Sequence, residues 1–277
     1  MKKVIAALLA VWMLTGVAFA EEPAETGAPG ETAVTEAANE AADEAADQAA
    51  EETGEAAEKP AAPDVSVIPG RTVVFGHFEQ DGSADNGAEP IEWQVLDTAD
   101  GKALLVSRYG LDTGAYHKEW AEVTWEACSL RAWLNGDFLS SAFTAQEQGF
   151  ILLTSVDNSA AQGNSRWQAD GGSDTQDSVF LLSCAEIEKY FPEKVSRICL
   201  PTAVALKHGA YTGSSVTADG RPIGWWWLRS PGVDQKRAAY LHPTGQLDAT
   251  YVGQTAGCIR PAMWVSLDAG IFDADGE

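Results

Sequence analysis

The chain has 277 residues and a formal net charge of −23 at pH 7, from 41 Asp and Glu against 18 Lys and Arg. The charge is +2 over residues 1–20, −13 over residues 21–64 and −12 over residues 65–277. Because phosphate groups would repel both acidic parts, this distribution argues against nucleic acid and anionic lipid as partners. Neutral ligands such as sugars, or cationic partners, are compatible with it.

Residues 1–20 have the pattern of a secretory signal peptide. Lys2 and Lys3 precede an apolar run over residues 4–14, and Ala18-Phe19-Ala20 has the small-x-small form of a signal-peptidase site. The run is shorter than the roughly 20 apolar residues of a membrane span, and no later segment is apolar enough to be one. We therefore expect a secreted or extracellular chain, free or associated with the cell surface. An uncleaved N-terminal anchor is the alternative.

Residues 21–64 are rich in Ala and Glu and contain no aromatic residue. They hold 14 acidic residues and one lysine, Lys59. This composition buries too little apolar surface to offset the lost chain entropy, which predicts a disordered acidic linker. We expect a solvated spacer, with electrostatic contact to a basic partner as the alternative.

The first part of residues 65–277, a length that suits one domain, is expected to form strands. These strands are predicted at residues 73–75, 91–97 and 102–108. Asp100-Gly101 lies between the last two, and this dipeptide favours a type I′ hairpin turn.

Short helices are expected next. The first is capped by Thr124, runs through Cys128 and ends near Asn135-Gly136. Two more follow capping boxes, Thr144 with Glu147 and Ser183 with Glu186, and a fourth covers residues 202–207. A strand over residues 179–182 is predicted just before the second capping box.

The last part of the domain is expected to be all β, with strands at residues 225–229, 237–242, 247–251 and 258–267. The first of these contains Trp225, Trp226 and Trp227, which are too bulky to leave exposed. Since alternate side chains of a strand face opposite sides, this strand must be covered on both faces and lie inside a sheet. Short early helices followed by a late antiparallel sheet indicate an α+β fold.

Seven motifs follow one another along residues 70–270: Glu92-Trp93, Thr124-Trp125-Glu126, Ser129 to Asn135, Asp174 to Asp177, Phe180 to Ser183, Trp226 to Gly232, and Arg260-Pro261-Ala262 with Trp264. The series resembles the DUF6273 family, exported or surface-associated domains of Gram-positive bacteria. More distantly, the Trp-Leu-Arg-Ser strand and the closing Arg-Pro strand are similar to the C-type-lectin-like fold. That fold includes sugar binders, protein binders and the formylglycine-generating enzymes. The resemblance implies a C-type-lectin-like domain over residues 65–277.

Motifs for catalysis are weak. A formylglycine-generating oxidase needs two neighbouring cysteines for copper, whereas the four cysteines here are widely spaced: Cys128, Cys184, Cys199 and Cys258. They are free thiols or form up to two disulfides. The histidines lack the short spacing of a metal site, and no serine stands in a Gly-x-Ser-x-Gly context. We expect no enzymatic activity. The alternative is an extracellular enzyme of the formylglycine-generating type, which a cysteine pair or histidine cluster meeting in space would favour.

One glycine-rich loop carries several oxygen ligands of the kind that calcium prefers: Asp157, Asn158, Asp170, Asp174 and Asp177. Their spacing does not match an EF-hand, and Asp and Asn also favour turns and helix caps. We expect no cofactor, with calcium at this loop as the alternative.

Ligand contact is expected between Gly232 and Gly257, where polar and aromatic residues alternate on short strands. The expected contact residues, on one exposed surface, are Lys236, Tyr240, His242, Gln246, Asp248 and Tyr251. Aromatic rings supply rigid stacking area and the polar groups supply directional hydrogen bonds, which suits a sugar or a peptide. The resemblance implies the same location, because this late segment forms the binding face in lectin-like domains. The alternative is that these residues only solvate the sheet.

Trp120 and Trp167 lie in polar loops and are further candidates for exposed contact residues. Together these features predict a non-catalytic ligand-binding or adhesion module for an extracellular glycan or protein. A purely structural surface protein is the third interpretation, and it would have no aromatic-lined concave face.

Overall fold

The structure, a computed structural model, describes residues 69–269 with the exception of Ala84 and Gln168. The predicted signal peptide and acidic linker lie outside the described residues. Within the described range, none of the helices has the length and apolar character needed to cross a bilayer.

Strands dominate the described part of the chain. They are β1 (Thr72–Phe78), β2 (Glu89–Ala99), β3 (Lys102–Ser107), β4 (Asp112–Gly114), β5 (Thr154–Val156), β6 (Thr175–Asp177), β7 (Trp226–Pro231), β8 (Arg237–Leu241), β9 (Leu247–Tyr251), β10 (Gly257–Ile259) and β11 (Ala262–Ser266). The α-helices are short: α1 (Ser129–Trp133), α2 (Leu139–Ala142), α3 (Ala145–Gln148), α4 (Cys184–Tyr190) and α5 (Ala203–Lys207). The architecture therefore has few, short helices and several mostly antiparallel sheets, which makes it α+β or mostly β.

A four-stranded antiparallel sheet has the order β1-β2-β3-β11. The turn between β2 and β3 is the one that the sequence predicts, since Asp100 has φ 50° and Gly101 has φ 72°. A type I′ turn needs positive φ at both positions, and Asp and Gly tolerate it best. Early and late parts of the chain thus meet in one sheet.

A five-stranded sheet has the order β4-β10-β7-β8-β9, in which β7 pairs antiparallel with β8 and parallel with β10. The tryptophan-rich strand β7 is therefore central, as expected. Trp226 and Trp227 are fully buried. Trp225 and Trp227 lie on one face with ring centroids 4.8 Å apart. Trp226 lies under Arg260, whose guanidinium is 4.8 Å from the centroid of the Trp226 ring.

The sequence predicts a single strand over residues 258–267. This prediction is wrong in one respect, because the segment is divided between two sheets. Its first part is β10 and its second part is β11. Between them Arg260 donates from Nε to the carbonyl of Ser107 at 2.6 Å, and the carbonyl of Pro261 accepts from the amide of Ser107 at 2.9 Å. Both sheets are therefore joined at Arg260-Pro261.

The predicted strand over residues 179–182 is also absent as a ladder. Its residues are buried, but only Phe180 forms an isolated bridge, to Ala262 at the start of β11. The apolar run correctly indicates that these residues are buried, but a buried segment need not pair with a second strand along its length.

The first predicted helix is interrupted at Cys128. Thr124 makes no side-chain capping bond, Cys128 is extended, and its sulfur accepts the amide of Arg131 to start α1. The chain then continues past Asn135-Gly136 as a π-helical turn (Leu134–Phe138) into α2. The side-chain amide of Asn135 donates to the carbonyl of Val179 at 2.8 Å. Asn135 therefore joins two segments of the chain and does not end the helix.

The other three helices begin where the sequence predicts. Both capping boxes are complete, at Thr144 with Glu147 and at Ser183 with Glu186. Thr202 caps α5 by accepting the amide of Ala205. These signals lie within four residues, so local chemistry is sufficient to define them.

Candidate functional site

The β8-β9 hairpin forms the edge of the five-stranded sheet, and its register decides which predicted site residues share a face. Tyr240 lies opposite Asp248, and Ala238 lies opposite Thr250. Trp227 of the neighbouring strand is also opposite Tyr240. Since directly opposed residues of an antiparallel pair point to the same side, Trp227, Tyr240, Asp248 and Thr250 face one side of the sheet.

On this face an open groove of about 380 Å³ lies between the hairpin and the preceding loop. We call it the aromatic groove. Its lining residues are Tyr211, Trp225, Tyr240, His242, Pro243, Thr250, Gln254 and Ala256. No Asp, Glu, Lys or Arg is among them, although the chain as a whole is strongly acidic.

The floor of the aromatic groove is held rigidly by ring packing. The ring of Trp225 meets Tyr240 edge to face at 5.0 Å and Trp227 at 4.8 Å. Trp227 is fixed in turn, because its indole N–H donates to the carbonyl of Gly114 at 2.8 Å. Tyr240 is half-buried, and burial raises the pKa of its hydroxyl, with a further contribution from the negative charge of Asp248.

The wall of the groove carries polar groups with spare hydrogen-bonding capacity. The Nδ1 atom of the exposed His242 accepts the amide of Thr244 at 3.2 Å, which leaves Nε2 to carry the proton of the neutral ring. At the opposite wall, Tyr211 is 62% exposed and its backbone amide donates to the carbonyl of Ala256 at 3.0 Å. A ligand in the groove would thus meet aromatic faces beside hydrogen-bonding groups.

Of the six residues predicted to share one contact surface, Tyr240 and His242 line the aromatic groove. Asp248 lies on the same face beside Tyr240, with 3.5 Å between a carboxylate oxygen and the hydroxyl. Gln246 is exposed in the turn that follows His242. Lys236 stands before β8, where its ammonium group is 3.7 Å from Glu122.

Tyr251 does not join them, so the expectation of a single surface is wrong for this residue. It lies opposite Arg237 and directly follows Thr250 in β9. Because neighbouring residues of a strand point to opposite sides, Tyr251 faces the other side of the sheet. Its hydroxyl accepts from Arg237 at 2.8 Å, and its ring packs at a tilt against the exposed Trp120, with 5.4 Å between the ring centroids. The exposure predicted for Trp120 is confirmed at 64%, whereas Trp167 is partly buried against the core.

The sequence interpretation missed six of the residues that line the groove: Tyr211, Trp225, Pro243, Thr250, Gln254 and Ala256. Alternation along β9 would have paired Thr250 with Asp248 and excluded Tyr251, so that signal was available. Tyr211 lies far from the hairpin in sequence, and nothing local predicts that its loop closes the groove.

A second open groove, of about 410 Å³, lies between β4 and α1. Its walls include Thr113, Leu130, Trp133 and Ile259, with Asp112 at one end. The Asp112 carboxylate already accepts from the Thr113 amide and lies 2.7 Å from His208 Nδ1. This groove has one aromatic ring, and its lining includes the charged side chains of Lys118, Asp112 and Asp137, so it differs from the uncharged aromatic groove.

In the glycine-rich loop with the candidate calcium ligands, the carboxylate oxygens bind groups of the protein itself. Asp174 accepts the amide of Asn158 at 2.9 Å, and Asp170 accepts the amide of Gly172 at 3.0 Å. Asp177 is buried and binds Arg131 at 2.6 Å. Asp157 accepts the amide of Ser159, and this bond lowers the pKa of Asp157. These contacts are the turn and pairing roles that Asp and Asn commonly have.

Elsewhere in the described part of the chain, Glu79, Asp81 and Glu89 place carboxylate oxygens within 4.8 Å of one another. The group is only partly buried, and its oxygens accept from backbone amides; for example, the amide of Gly82 donates to the Glu79 carboxylate at 2.7 Å. It is thus accounted for by loop structure.

All four cysteines are buried free thiols. Cys128 and Cys184 stand apart, and burial raises the pKa of each thiol to about 12. Cys199 and Cys258 meet beside Gly110, although 58 residues separate them in sequence. The sequence alone did not indicate this pair.

No curated protein and no solved structure is significantly similar to the chain. A family model described as a domain of unknown function, DUF6273, matches residues 100–267. The match begins at the β2-β3 turn and ends just after β11, so it includes the aromatic groove and the cysteine pair. Because it covers more than half of the sequence, the chain belongs to the DUF6273 family.

Proposed function

We propose that this chain is an exported, non-catalytic ligand-binding or adhesion module, and that its aromatic groove binds a neutral glycan. The observation that carries the proposal is the lining of the groove by Trp225, Tyr240 and Tyr211 without any fixed charge. The rest of the domain is acidic in composition, since residues 65–277 carry a net charge of −12.

Several features favour a sugar over a charged ligand. The faces of sugar rings are apolar and pack on aromatic side chains, while their hydroxyls need hydrogen-bonding partners. His242, Thr250 and Gln254 supply such partners beside the rings. An apolar or aromatic segment of a protein is the alternative ligand with similar requirements.

The proposal includes secretion by a bacterium, which rests on the signal-peptide pattern at residues 1–20 and on the family resemblance. It also includes a C-type-lectin-like arrangement, which the late antiparallel sheet and the pairing of the early strand β3 with the last strand β11 support. Calcium is not needed for the proposed contact, because the groove lies on the hairpin and not on the glycine-rich loop.

The experiment is a glycan and peptide array probed with the purified chain, followed by affinity measurements on any hit. We expect Tyr211→Ala to weaken glycan binding by tenfold or more, because it removes an exposed ring from the wall of the groove. Tyr251→Ala is the matched control, since it removes the same side chain from the other face and should change affinity less than twofold. Equal losses for the two variants, or binding to charged ligands alone, would contradict the proposal.

The alternative function, an extracellular enzyme of the formylglycine-generating type, is favoured by one observation. Cys199 and Cys258 meet in space, which is the condition that such an enzyme needs. Both sulfurs are completely buried, however, and a substrate would have to reach them. Copper binding that Cys199→Ala abolishes would favour this alternative. A purely structural role is the least supported, because an aromatic-lined groove is present.

A further inference from the structure

The buried cysteine pair lies where four segments of the chain pack together, those around Gly110, Cys199, Gly224 and Cys258. A side chain at Gly110 would place its Cβ 3.0 Å from the sulfur of Cys199 and 3.2 Å from that of Cys258. The two sulfurs therefore lie on the same side of one glycine, each within 3.2 Å of the same point. A second glycine, Gly224, makes the same kind of close approach, since its Cβ would be 2.7 Å from the sulfur of Cys258.

The surroundings of the pair favour one thiolate. Arg260 is buried, and its Nη1 atom has no hydrogen-bond partner. A hydrogen bond from the Cys258 thiol lowers the pKa of Cys199, and the positive charge of Arg260 acts in the same direction. The same hydrogen bond and burial raise the pKa of Cys258. Cys199 is thus the better nucleophile of the two.

We propose that Cys199 and Cys258 form a redox-active pair that an oxidising environment converts into a disulfide. The shared position of both sulfurs beside Gly110 and the buried Arg260, whose Nη1 atom has no hydrogen-bond partner among the described residues, carry this inference. It goes beyond the proposed glycan binding and does not depend on it.

The oxidant is a low-molecular-weight disulfide such as glutathione disulfide. The Cys199 thiolate attacks one sulfur of the oxidant, its S–S bond breaks, and one glutathione thiolate leaves. Cys258 then loses its proton and attacks the Cys199 sulfur, and the second glutathione leaves. Two protein thiols give up two electrons, and the oxidant becomes two thiols that take up the two protons. Because both sulfurs are buried, the exchange needs local opening of the surrounding segments.

The bond would tie together the backbone around the start of β7. Gly224 donates its amide to the carbonyl of Cys199 at 2.9 Å, and Cys258 donates its amide to the carbonyl of Trp225 at 2.8 Å. A disulfide would therefore clamp the segment that carries Trp225 of the aromatic groove. A cross-link between residues this far apart in sequence also restricts the unfolded chain strongly.

The test is cysteine mapping on the purified full chain. The protein is equilibrated with mixtures of reduced and oxidised glutathione, quenched with acid, unfolded in N-ethylmaleimide and analysed by peptide mass spectrometry. We expect linked peptides that contain Cys199 and Cys258, while Cys128 and Cys184 carry the label as internal controls. Labelling of both Cys199 and Cys258 at the most oxidising ratio, or a different pairing, would overturn the proposal.

A second measurement tests the effect of the bond on stability. Reduction should lower the Tm of the oxidised chain by about 5 °C or more. Cys199→Ala should be insensitive to reductant, whereas Cys128→Ala should keep the wild-type response. If Cys199→Ala does not fold, the mapping of the wild-type chain decides alone. A Tm that reductant leaves unchanged in the mapped, oxidised chain would overturn the clamping role.

Discussion

Trp226 and Tyr251 lie in the same sheet but differ in the burial of their side chains. Trp226 is fully buried, donates from its indole to the carbonyl of Arg197 at 2.9 Å and lies under Arg260. Tyr251 is 40% exposed at the edge strand. We expect Trp226→Ala to cost about 3–5 kcal/mol of the free energy of unfolding, because it leaves a large cavity and an uncovered cation. Tyr251→Ala should cost about 1 kcal/mol or less.

Chemical denaturation of the two variants measures this difference directly, and Tyr240→Ala should fall between them because Tyr240 is half-buried against Trp225. A loss for Tyr251→Ala as large as that for Trp226→Ala would mean that the Tyr251 face is core. It would then no longer serve as the matched control for ligand binding.

At the scale of single residues, burial was easier to predict than orientation. The three tryptophans of β7 had to be packed because of their size, and they are. Tyr240 and Tyr251 look alike in sequence, yet eleven positions and a turn between two strands put them on opposite faces. Orientation depends on register, and register in turn depends on the geometry of the connecting turn.

Among the elements, α3 and α4 offer a matched pair of capping glutamates. Glu147 and Glu186 both complete capping boxes, but Glu186 also forms an ion pair with the buried Arg229. Glu186→Gln keeps a capping side chain while leaving that guanidinium without its counter-charge. We expect a cost of about 3 kcal/mol or more for Glu186→Gln, and about 0.5 kcal/mol or less for Glu147→Gln, which breaks no ion pair with a buried cation.

Urea denaturation near pH 7 gives both values under identical conditions. If the two variants lose the same stability, the Arg229 ion pair contributes nothing beyond the cap. Arg229 would then be held mainly by its hydrogen bonds to the carbonyls of Leu181 and Asp157.

The contact between β2 and α4 should make stability depend on pH. A hydrogen bond from Tyr190 lowers the pKa of Asp97 below its usual value of 3.8, and Lys189 acts in the same direction. The folded state therefore prefers the ionised carboxylate. The stabilisation is fully present above about pH 4 and is lost as the pH falls through the lowered pKa.

We expect Asp97→Asn to be less stable than the wild type at neutral pH and the difference to shrink below pH 4. Urea midpoints measured from pH 7 to pH 2.5 test this. Tyr190→Phe removes the main cause of the shift and should reduce the pH dependence. A difference that stays constant over the whole range would show that Asp97 acts only through its shape and packing.

Elements that depend on neighbours in sequence were predictable, and those that depend on distant partners were not. The capping boxes and the Asp100-Gly101 turn are complete within four residues. The division of residues 258–267 between two sheets depends on contact with Ser107, and the π-helical turn depends on the bond from Asn135 to Val179. No local pattern contains that information.

For the whole molecule, the sequence predicted the α+β class and the hairpin that carries part of the candidate site. It did not predict that a loop containing Tyr211 forms the opposite wall, because loop closure is a property of the assembled sheet. The family match begins at residue 100, yet β1 and β2 form half of the four-stranded sheet. The folded unit is thus longer than the matched range, and variants that remove residues 72–99 should not fold.

The last prediction concerns the acidic segment, residues 21–64. It carries a net charge of −13 beside a domain of −12, so like charges disfavour its docking on the domain surface. Without aromatic residues it also has little apolar surface to contribute to a shared core. We expect its deletion to leave the Tm of the remaining chain unchanged within about 2 °C, as measured by calorimetry at physiological salt. Because salt screens repulsion, the same comparison at low ionic strength should show the deletion as neutral or slightly stabilising. A clear loss of stability on deletion would mean that the segment packs against the domain, and the spacer interpretation would have to be abandoned.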